Sequence, residues 1–566
     1  MITTTNKYEQ LSKERKRKQV EGTVPEWYTT PSWQMFSSSY SHESEMDVLD
    51  RHMTIAKTWS QYMPNPDYWC RRFFDLLWSG KYSPASPALA NTGLPRGQDV
   101  SCSGQYIGDN VNEWYESMRV SAALFKNSFG GSGVFDIRER GSSISNGGIA
   151  SGSFPIVQQF FQTAALIKQG NRRGAFAAYI DISNNDWYEH NNILRKDQAD
   201  RHYGWIYTDS FIDALKAGCL EANFRLSESI YTKCLTGKGY YFGKDKANRH
   251  RPQMYKDLGL DVKASNLCTE IMLHSSKEYD FSCILGSMNL VHLDSFMEPD
   301  DDSIFVAMIM LDCAVSAFLD KSKGVPGLEK VRAFTEKGRA VGLGILGLST
   351  YLQMKNIPYE SIEAQFIDLA FAKKLHDETL RASQFLAKIH GEPEWCKGYG
   401  VRNTHRTAIA PTKSTSILMG CVSESWLPDP LMIFDADSAV GEIRRIPPAF
   451  LAKMKERGVF NDKTISELIK NNGSAQKCEF LTPHEKLVFK NAYEIDNHLY
   501  IRRAGLRQKY ICQGQALNCF IPESASEDYV SSLVTHALLN PNVLSLYYFY
   551  FKNGLIINDE CVNCHA

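Results

Sequence analysis

The feature that most constrains the fold is the alternation of two patterns along most of the chain. After about residue 80, short apolar runs alternate with segments of helical apolar spacing, and Gly-rich turns separate them. This alternation is typical of an α/β architecture. Residues 1–80 are predicted to be mostly helical, with aromatic residues at helical spacing in "DYWCRRFFDLLW". Since no fixed-period repeat or low-complexity linker divides the chain, we expect one large integrated domain.

Composition excludes several classes of partner. Lys and Arg number 63 against 64 Asp and Glu, so the net charge of -1 does not select nucleic acid or a membrane surface. The first residues, "MITTTNKYEQLSKERKRKQ", lack the apolar segment of a secretory signal. The most apolar long run, Ile304 to Leu319, is interrupted by Asp312 and is shorter than the roughly 20 residues needed to cross a bilayer. We therefore expect a soluble cytoplasmic protein that binds neither nucleic acid nor a membrane.

The last residues, "NDECVNCHA" at 558–566, place Cys561 and Cys564 where backbone order is usually poorest. In a cytosolic protein most of the 14 cysteines stay reduced, and a pair that oxidises is expected to be catalytic. Zinc is the alternative, but a closed zinc site takes four ligands, and this tail supplies at most the two cysteines and His565. The chain has no second C-x-x-C motif. The pattern therefore favours a mobile dithiol over a metal site.

One literal motif match is rejected. Residues 342–347 read "GLGILG", which fits G-x-G-x-x-G, but a dinucleotide site requires a preceding apolar strand. The preceding stretch, "VRAFTEKGRAV", is charged and helix-like. We interpret these glycines as positions where two backbones pack closely.

The stretch "SNLCTEI" at 265–271 carries the strongest chemical signal. Asn266, Cys268 and Glu270 stand at alternating positions, so on an extended segment or loop tip their side chains would converge on one spot. An amide, a thiol and a carboxylate could hold a polyol, remove a hydrogen atom and assist proton transfer. A polar edge strand would show the same spacing.

This stretch lies within an ordered series of further motifs. They are "SPALANTGLPRGQDVSCSG" at 86–104, "CILGSMNL" at 283–290, "RAVGLGILGL" at 339–348 and "RTAIAPTKSTS" at 406–416. From about residue 80 to its end, the chain resembles the catalytic large subunit of ribonucleotide reductase. The resemblance implies a ten-stranded α/β barrel, built from two antiparallel halves of five parallel strands, with a finger loop inside. It also implies three regions: an N-terminal helical region (1–80), the catalytic barrel (81–550) and a flexible redox-active tail (551–566).

For catalysis, the resemblance implies a radical reaction on the ribose. Cys268 would be the thiyl radical that removes the 3′ hydrogen atom, Glu270 would accept the proton of the 3′-hydroxyl, and Asn266 would bind the sugar hydroxyls. Loss of the 2′-hydroxyl as water then requires two reducing equivalents. Cys102 and Cys283 would supply them by forming a disulfide in each turnover, although they are far apart in the sequence.

The resemblance also assigns the binding of a ribonucleoside diphosphate. Hydroxyls and backbone amides of one loop would hold the diphosphate without a metal. The assigned residues of this loop are Pro411, Thr412, Lys413, Ser414, Thr415 and Ser416. Three further positions match substrate contacts of the family, namely Ser86, Ser101 and Gly131.

In "SLYYFYF", Tyr547 and Tyr548 match the paired tyrosines that pass a radical to the active cysteine in class I enzymes. This pair implies that a separate small subunit, which carries the metal cofactor, is the radical source, and that this chain itself binds no cofactor or metal. Cys561 and Cys564 would carry electrons inward from thioredoxin or glutaredoxin by thiol exchange. The segment from Tyr548 to Cys561 is short and spans at most about 45 Å when extended. The alternatives are an adenosylcobalamin-dependent reductase with the same barrel, and a zinc-tethering or thiol-exchange module without nucleotide chemistry.

Regulation by nucleotides is implied as well. The stretch before the first barrel motif lacks the basic start of the family's ATP cone, so we expect no such domain and no shutdown by dATP through it. A specificity site for dNTP or ATP effectors would include Asp109, Arg138, Gln169 and Arg172. Asp136 and Ser145 stand where some relatives carry arginines, which leaves effector preference open. Because this site normally forms between subunits, we expect a nucleotide-dependent homodimer.

Overall fold

The computed structural model describes residues 4–41, 46–95, 97–145, 147–169, 172–196, 201–438 and 441–552. The strands in these ranges are β1 (Tyr82–Pro84), β2 (Cys102–Ile107), β3 (Gly130–Phe135), β4 (Lys168–Gln169), β5 (Arg172–Arg173), β6 (Phe176–Asp181), β7 (His202–Tyr207), β8 (Tyr240–Gly243), β9 (Phe281–Asn289), β10 (Val341–Leu346), β11 (Phe434–Ser438), β12 (Gly441–Arg445), β13 (Cys519–Ile521), β14 (Ser545–Leu546) and β15 (Phe549–Phe551).

The first group of helices precedes or accompanies the first half of the strands. They are α1 (Thr4–Val20), α2 (Thr30–Ser39), α3 (Val48–Ser60), α4 (Pro66–Trp78), α5 (Ser86–Asn91), α6 (Val111–Lys126), α7 (Phe154–Leu166), α8 (Trp187–Lys196), α9 (Asp209–Lys216), α10 (Leu220–Thr236), α11 (Lys244–His250) and α12 (Gln253–Asp257). The later helices are α13 (Leu293–Met297), α14 (Ser303–Lys321), α15 (Glu329–Gly338), α16 (Leu348–Met354), α17 (Ile362–His390), α18 (Lys413–Leu418), α19 (Pro448–Glu456), α20 (Asp462–Lys470), α21 (Pro483–Val488), α22 (Asn497–Arg507) and α23 (Glu527–Leu539).

Strands β2, β3, β6, β7 and β8 lie side by side in that order and run parallel to one another. Every residue of β7 is buried, as are the first five of β6. Burial on both faces is typical of parallel strands that have helices on one side. These strands form one half of a barrel.

The second half starts with β9 and β10, which are parallel. Two extended segments continue it through parallel bridges, from Leu343 to Thr407 and from Ile409 to Gln515. The Tyr547 amide then donates to the Leu517 carbonyl at 2.9 Å, which brings in β14. The halves meet through two antiparallel seams, β2 with β9 and β14 with β8. The predicted ten-stranded barrel of two antiparallel halves is therefore confirmed.

The glycines of "GLGILG" lie within β10, where backbones approach closely. A Cβ on Gly344 would lie 2.5 Å from the Ala408 carbonyl oxygen, and one on Gly342 would lie 2.5 Å from a Leu285 methyl carbon. Since real Cβ atoms do not tolerate such distances, glycine is required for the close packing of β10 against its neighbours. This agrees with the interpretation of these residues as packing positions.

In the described residues before β1, the regular elements are the four helices α1 to α4. Helix α3 begins with a capping box, in which the side chains of Asp47 and Asp50 each accept a hydrogen bond from the other residue's backbone amide. Arg51 is buried and donates to the carbonyl oxygens of Leu89 (2.6 Å) and Thr92 (2.7 Å). These bonds fix the helical region to α5 at the edge of the barrel.

The apolar helix α14 belongs to the protein core. Among the described residues it is the one helix long and apolar enough to cross a membrane, but 83% of its apolar window is buried inside the protein. Asp312, in its middle, forms ion pairs with Arg339 (2.9 Å) and Arg402 (3.0 Å) and accepts a hydrogen bond from Asn403. Burial alone would raise the pKa of Asp312, but these partners outweigh it and lower the pKa to about 2.

Candidate active site

The finger loop, residues 263–275, is held inside the barrel by contacts from both halves. Tyr179 of β6 donates to the Asn266 carbonyl at 2.5 Å, and the Gly514 amide donates to the Glu270 carbonyl at 2.7 Å. Ser545 of β14 donates to the Thr269 carbonyl at 2.8 Å. Because β6 belongs to one half and the other two donors to the second half, the loop lies between the two halves.

The loop tip has an uncommon backbone geometry. Thr269 adopts a φ of 69°, in the left-handed region that a β-branched residue seldom occupies. Cys268 and Glu270 flank this left-handed residue in the sequence, and both side chains are buried. The surrounding hydrogen bonds determine this conformation, since the local sequence alone would not favour it.

Asn266 and Glu270 contact each other directly. The Asn266 amide nitrogen donates to Glu270 Oε1 at 2.9 Å, while its Oδ1 accepts the backbone N–H groups of Glu270 (3.1 Å) and Ile271 (3.2 Å). Glu270 Oε2 is buried and has no hydrogen-bond partner among the described residues. Burial raises the pKa of Glu270 to about 7. A carboxyl group with this pKa and an unused oxygen can exchange a proton with a bound hydroxyl near neutral pH.

Cys102 and Cys283 are directly opposite each other where β2 and β9 pair antiparallel. Opposite residues in such a pair have Cα atoms about 4.5–5.5 Å apart, which lies within the range that a disulfide bridges. Both side chains are buried. Burial, with a smaller effect from the charge of Glu270, raises the pKa of both thiols well above the ordinary range. The fold thus brings together two cysteines that the sequence separates widely.

The loop connects this dithiol with the carboxylate. The Asn266 amide nitrogen also lies 3.3 Å from Cys102 Sγ, so one amide contacts both the thiol and Glu270. Gln513 donates to Cys283 Sγ at 3.4 Å and accepts from the Met272 amide at 3.2 Å. Amide, carboxylate and two thiols therefore line one buried space.

Cys268 faces a pair of tyrosines. The Tyr547 hydroxyl donates to Cys268 Sγ at 3.4 Å. The ring centroids of Tyr547 and Tyr548 are 4.4 Å apart, and both rings are buried. A continuous contact therefore leads from the cysteine of the finger loop through both aromatic rings.

The residues assigned to substrate binding are mostly buried polar groups. Ser86 begins α5 and shares a hydrogen bond with Tyr40 at 2.9 Å. Ser101 directly precedes β2, and its hydroxyl is buried without a hydrogen-bond partner among the described residues. Gly131 lies in β3. A Cβ at this position would point towards α6 and lie 2.8 Å from the Phe125 ring. The contact of Gly131 with substrate stays a prediction and would involve its backbone.

The predicted diphosphate loop forms the start of α18. Pro411 and Thr412 precede the helix, Lys413 begins it, and the side chains of Thr412, Ser414, Thr415 and Ser416 are buried. Thr412 Oγ1 accepts the Ser425 amide at 2.9 Å, which fixes the entry to the helix. The loop thus presents buried hydroxyls next to the first amides of a helix.

Two of the predicted effector residues form a pair near the surface. Arg138 forms an ion pair with Asp109 and donates to the Ser143 carbonyl at 2.9 Å. Asp136 accepts from Tyr106 at 2.6 Å, and Ser145 is exposed. Gln169 and Arg172 are backbone partners in the short pairing of β4 with β5.

The dithiol of the C-terminal tail, Cys561 and Cys564, lies outside the described residues. Within the described ranges, no group of three or more His, Cys, Asp or Glu side chains could hold a metal ion. The choice between a dithiol shuttle and zinc at the tail therefore stays a prediction.

Sequence reasoning missed two residues of this site. Tyr179 fixes the finger loop, and Gln513 contacts the Cys283 thiol, but neither stands in a recognisable motif. For Tyr179 the available signal was a residue with a polar group within an apolar strand, "AFAAYID". Many strands share that pattern.

A barrel with a buried cysteine on its internal loop and a cross-strand cysteine pair in its wall is an arrangement typical of a thiol-based reductase. Comparison with protein families identifies which one. The model "Ribonucleotide reductase, all-alpha domain" matches residues 26–97, and "Ribonucleotide reductase, barrel domain" matches 100–226, 220–395 and 393–548. The chain belongs to the ribonucleotide reductase large-subunit family.

Individual relatives agree with this assignment. The ribonucleoside-diphosphate reductase large subunit of Invertebrate iridescent virus 3 is 26% identical, with 93% of this chain and 94% of the relative covered. The solved Actinobacillus ureae class Id ribonucleotide reductase alpha subunit is 35% identical with a TM-score of 0.85, covering 93% of this chain and 97% of the other. A vitamin B12-dependent ribonucleoside-diphosphate reductase from Thermoplasma acidophilum is 27% identical, covering 79% of this chain and 60% of the relative.

Proposed function

We propose that this chain is the catalytic subunit of a class I ribonucleotide reductase, which reduces ribonucleoside diphosphates and receives its radical from a separate small subunit. The observation that carries the proposal is the buried contact from Tyr548 through Tyr547 to Cys268. An enzyme that generates its radical beside the cysteine has no need of such a relay. The class Id relative, 35% identical over nearly the whole chain, supports the same class.

In the proposed reaction, Cys268 becomes a thiyl radical and abstracts the 3′ hydrogen atom of the ribose. No acid or base could remove that atom as a proton at neutral pH. Glu270 accepts the 3′-hydroxyl proton, for which its raised pKa and its unpaired Oε2 are suited. The barrel protects the radical, because Cys268 is 1% exposed and water and external reductants cannot reach it.

The 2′-hydroxyl then leaves as water. Cys102 and Cys283 donate two electrons and two hydrogens and become a disulfide, so ribonucleotide and dithiol give deoxyribonucleotide, water and disulfide. The 3′ hydrogen returns to the substrate from Cys268, which restores the thiyl radical. The cross-strand position of the two cysteines supports this role, since opposite residues of an antiparallel pair have a Cα separation that a disulfide can bridge.

Asn266 is the positioning residue in this scheme. Its amide contacts both the Glu270 carboxylate and the Cys102 sulfur, so it sets the distance between the base and the reductant. In this proposal the substrate diphosphate lies against residues 411–416, whose hydroxyl-bearing side chains are buried beside the first turn of α18.

Electron supply and regulation follow the family pattern in this proposal. The tail dithiol, Cys561 and Cys564, reduces the Cys102–Cys283 disulfide and is itself reduced by thioredoxin or glutaredoxin. A nucleotide effector binds near Asp109 and Arg138. A surface cleft of about 720 Å³ is lined in part by Arg140, Lys196 and Glu189, and Glu189 forms an ion pair with Arg140. A triphosphate in this cleft would replace Glu189 as the partner of Arg140 and would contact Lys196.

The proposed effector site also accounts for the proposed assembly. The cleft is open to solvent, and its walls come from one side only of the bound nucleotide. A second copy of the chain that binds over the cleft would enclose the nucleotide, which gives a nucleotide-dependent homodimer. The cytoplasmic location stays a prediction.

The deciding experiment is Tyr548→Phe assayed with the candidate small subunit. The variant keeps the ring packing and removes the oxidisable hydroxyl, so we expect turnover to be abolished while nucleotide binding stays at the wild-type level. Full turnover of the variant would contradict the relay. Turnover with adenosylcobalamin and no second protein would instead establish the cobalamin-dependent alternative. The similarity to the vitamin B12-dependent reductase of Thermoplasma acidophilum is the reason to test this alternative.

A further inference from the structure

A buried histidine joins two tyrosine hydroxyls at the proposed relay. His202 Nδ1 lies 3.1 Å from the Tyr548 hydroxyl and 3.0 Å from the Tyr240 hydroxyl. His202 begins β7 and Tyr240 begins the neighbouring β8, so the two side chains lie at the same end of the barrel. Tyr547 and Tyr548 lie at the same end, because β14 runs antiparallel to β8 and the two tyrosines directly follow β14.

The aromatic packing is continuous around this histidine. The Tyr240 ring centroid lies 4.7 Å from that of Tyr547 and 5.2 Å from that of Tyr548. Its plane is nearly parallel to the His202 ring, at 17°. All four side chains are buried. His202 is therefore placed to act on the Tyr548 hydroxyl within a site that excludes water.

The protonation state of His202 fits an acceptor. Burial, with a smaller effect from the Lys238 charge, lowers the pKa of His202 to about 3. The ring is therefore neutral at pH 7 and has one nitrogen that can accept a hydrogen bond. With Nε2 protonated, Nδ1 accepts the O–H of Tyr548 or of Tyr240.

A phenol that loses an electron becomes a strong acid, so oxidation of Tyr548 requires an acceptor for its proton. We propose that His202 is this acceptor and that it shares its Nδ1 between Tyr548 and Tyr240. The inference rests on the relay in the proposed function.

The step balances as follows. One electron leaves Tyr548 for the one-electron oxidant of the small subunit, and the hydroxyl proton moves to Nδ1, which gives a neutral phenoxyl radical and an imidazolium. The Tyr548 radical then takes a hydrogen atom from Tyr547, which takes one from Cys268, while the imidazolium keeps its proton. At the end of a cycle these transfers reverse, and the proton returns to Tyr548 together with the electron. Because the buried imidazole is a weak base, it gives the proton back readily. A stronger base would hold the proton and trap the radical on Tyr548.

Two variants separate proton transfer from orientation. In His202→Asn, the amide oxygen replaces Nδ1 as a hydrogen-bond acceptor but is far less basic, whereas His202→Leu removes both properties. We expect both variants to lower turnover by about 10- to 100-fold, within the range of general-base effects, and to bind nucleotide as the wild type does. His52→Asn is the matched control, since His52 is a buried neutral histidine of α3, and it should leave turnover unchanged.

A spectroscopic readout tests the contact without any change at His202. With 3-aminotyrosine at position 548 and the small subunit present, electron–nuclear double resonance of the trapped radical should resolve one exchangeable proton hydrogen-bonded to the phenoxyl oxygen, in addition to the exchangeable protons of the amino group itself. The coupling of that hydrogen-bonded proton should differ from its wild-type value in His202→Leu, which has no polar group at this position. Its absence in the protein with native His202 would overturn the inference even if the leucine variant failed to fold.

The outcomes distinguish this inference from the proposed function. If Tyr548→Phe is inactive but both His202 variants turn over normally, the relay stands and His202 has no part in it. Full activity of His202→Asn with low activity of His202→Leu would reduce His202 to an orienting residue and overturn proton transfer. If Tyr548→Phe is fully active, the proposed function itself fails.

Discussion

Replacement of Glu270 by glutamine should make the protein inactive and, above neutral pH, more resistant to heat. Burial raises the pKa of Glu270 from 4.5 to about 7, so the native state disfavours its ionised form. Wild-type stability therefore falls as the pH rises from 4.5 to about 7 and is flat above that value. At pH 8 the cost of ionisation is about 3 kcal/mol, from about 1.36 kcal/mol per pKa unit. Glutamine does not ionise and avoids this cost.

The pH dependence isolates this effect from other consequences of the substitution. The glutamine NH₂ would occupy the position of Oε2, which has no hydrogen-bond partner among the described residues, and this carries a penalty of about 1–3 kcal/mol at every pH. At pH 5.5 the ionisation cost in wild type is only about 1 kcal/mol by the same linkage relation. The difference in stability between variant and wild type should therefore shift by about 2 kcal/mol in favour of the variant between pH 5.5 and pH 8.

Thermal unfolding at several pH values measures this shift. For 566 residues, an unfolding entropy of about 2.1 cal/mol/K per residue gives about 1.2 kcal/mol/K, so the melting temperatures should shift relative to each other by about 1.7 °C. Glu485→Gln is a control in which the effect on stability has the opposite sign. Hydrogen bonds from a backbone amide and from cationic side chains lower the pKa of Glu485, so its ionised form stabilises the native state. That variant should be less stable than wild type by a constant amount over this range. A Glu270→Gln difference that does not change with pH, or substantial turnover by that variant, would refute the assignment.

Three further substitutions test other parts of the structure. Cys283→Ser should abolish multiple turnover, and peptide mapping of wild type after one turnover without external reductant should show a Cys102–Cys283 disulfide; a different pairing would contradict the site. Asp312→Ala should destabilise the protein by about 3–5 kcal/mol, because the buried Arg339 and the partly buried Arg402 lose their counter-ion, and denaturant unfolding measures this. Gly131→Ala should cost about 1–3 kcal/mol, since its Cβ would lie 2.8 Å from the Phe125 ring, and an unchanged denaturation midpoint would count against that packing.

The α/β architecture could be predicted from local sequence patterns, because alternating apolar runs and helical segments indicate it. The spacing of Asn266, Cys268 and Glu270 predicted a shared site, and the structure places Asn266 against Glu270, whereas Cys268 contacts Tyr547. The closure of the barrel was accessible only through family resemblance, since two of its ten strands are short segments with single bridges at Thr407 and Gln515. Their sequences carry no distinct strand signal.

Contacts that depend on strand register could not be predicted from local sequence. Cys102 and Cys283 become partners only because β2 and β9 pair in one register, and a shift of one residue would turn the two side chains to opposite faces. His202 reaches Tyr548 for the same reason, through the alignment of neighbouring strand ends. "HYGWIY" reads as an ordinary buried strand and gives no indication of this role.

Burial explains why one pair of thiols in the proposed cycle reduces the substrate and a different pair reduces the resulting disulfide. Thiol–disulfide exchange proceeds by attack of a thiolate, so the rate depends on how much of the attacking thiol is ionised. The raised pKa values of Cys102 and Cys283 make both poor nucleophiles when reduced, which suits donors of hydrogen to a substrate radical. Once oxidised, the same pair can only be attacked, and the attacking thiolate must come from a solvated thiol. The exclusion of water that protects the radical therefore also requires that reduction be delivered by thiols from outside the barrel, as proposed for Cys561 and Cys564.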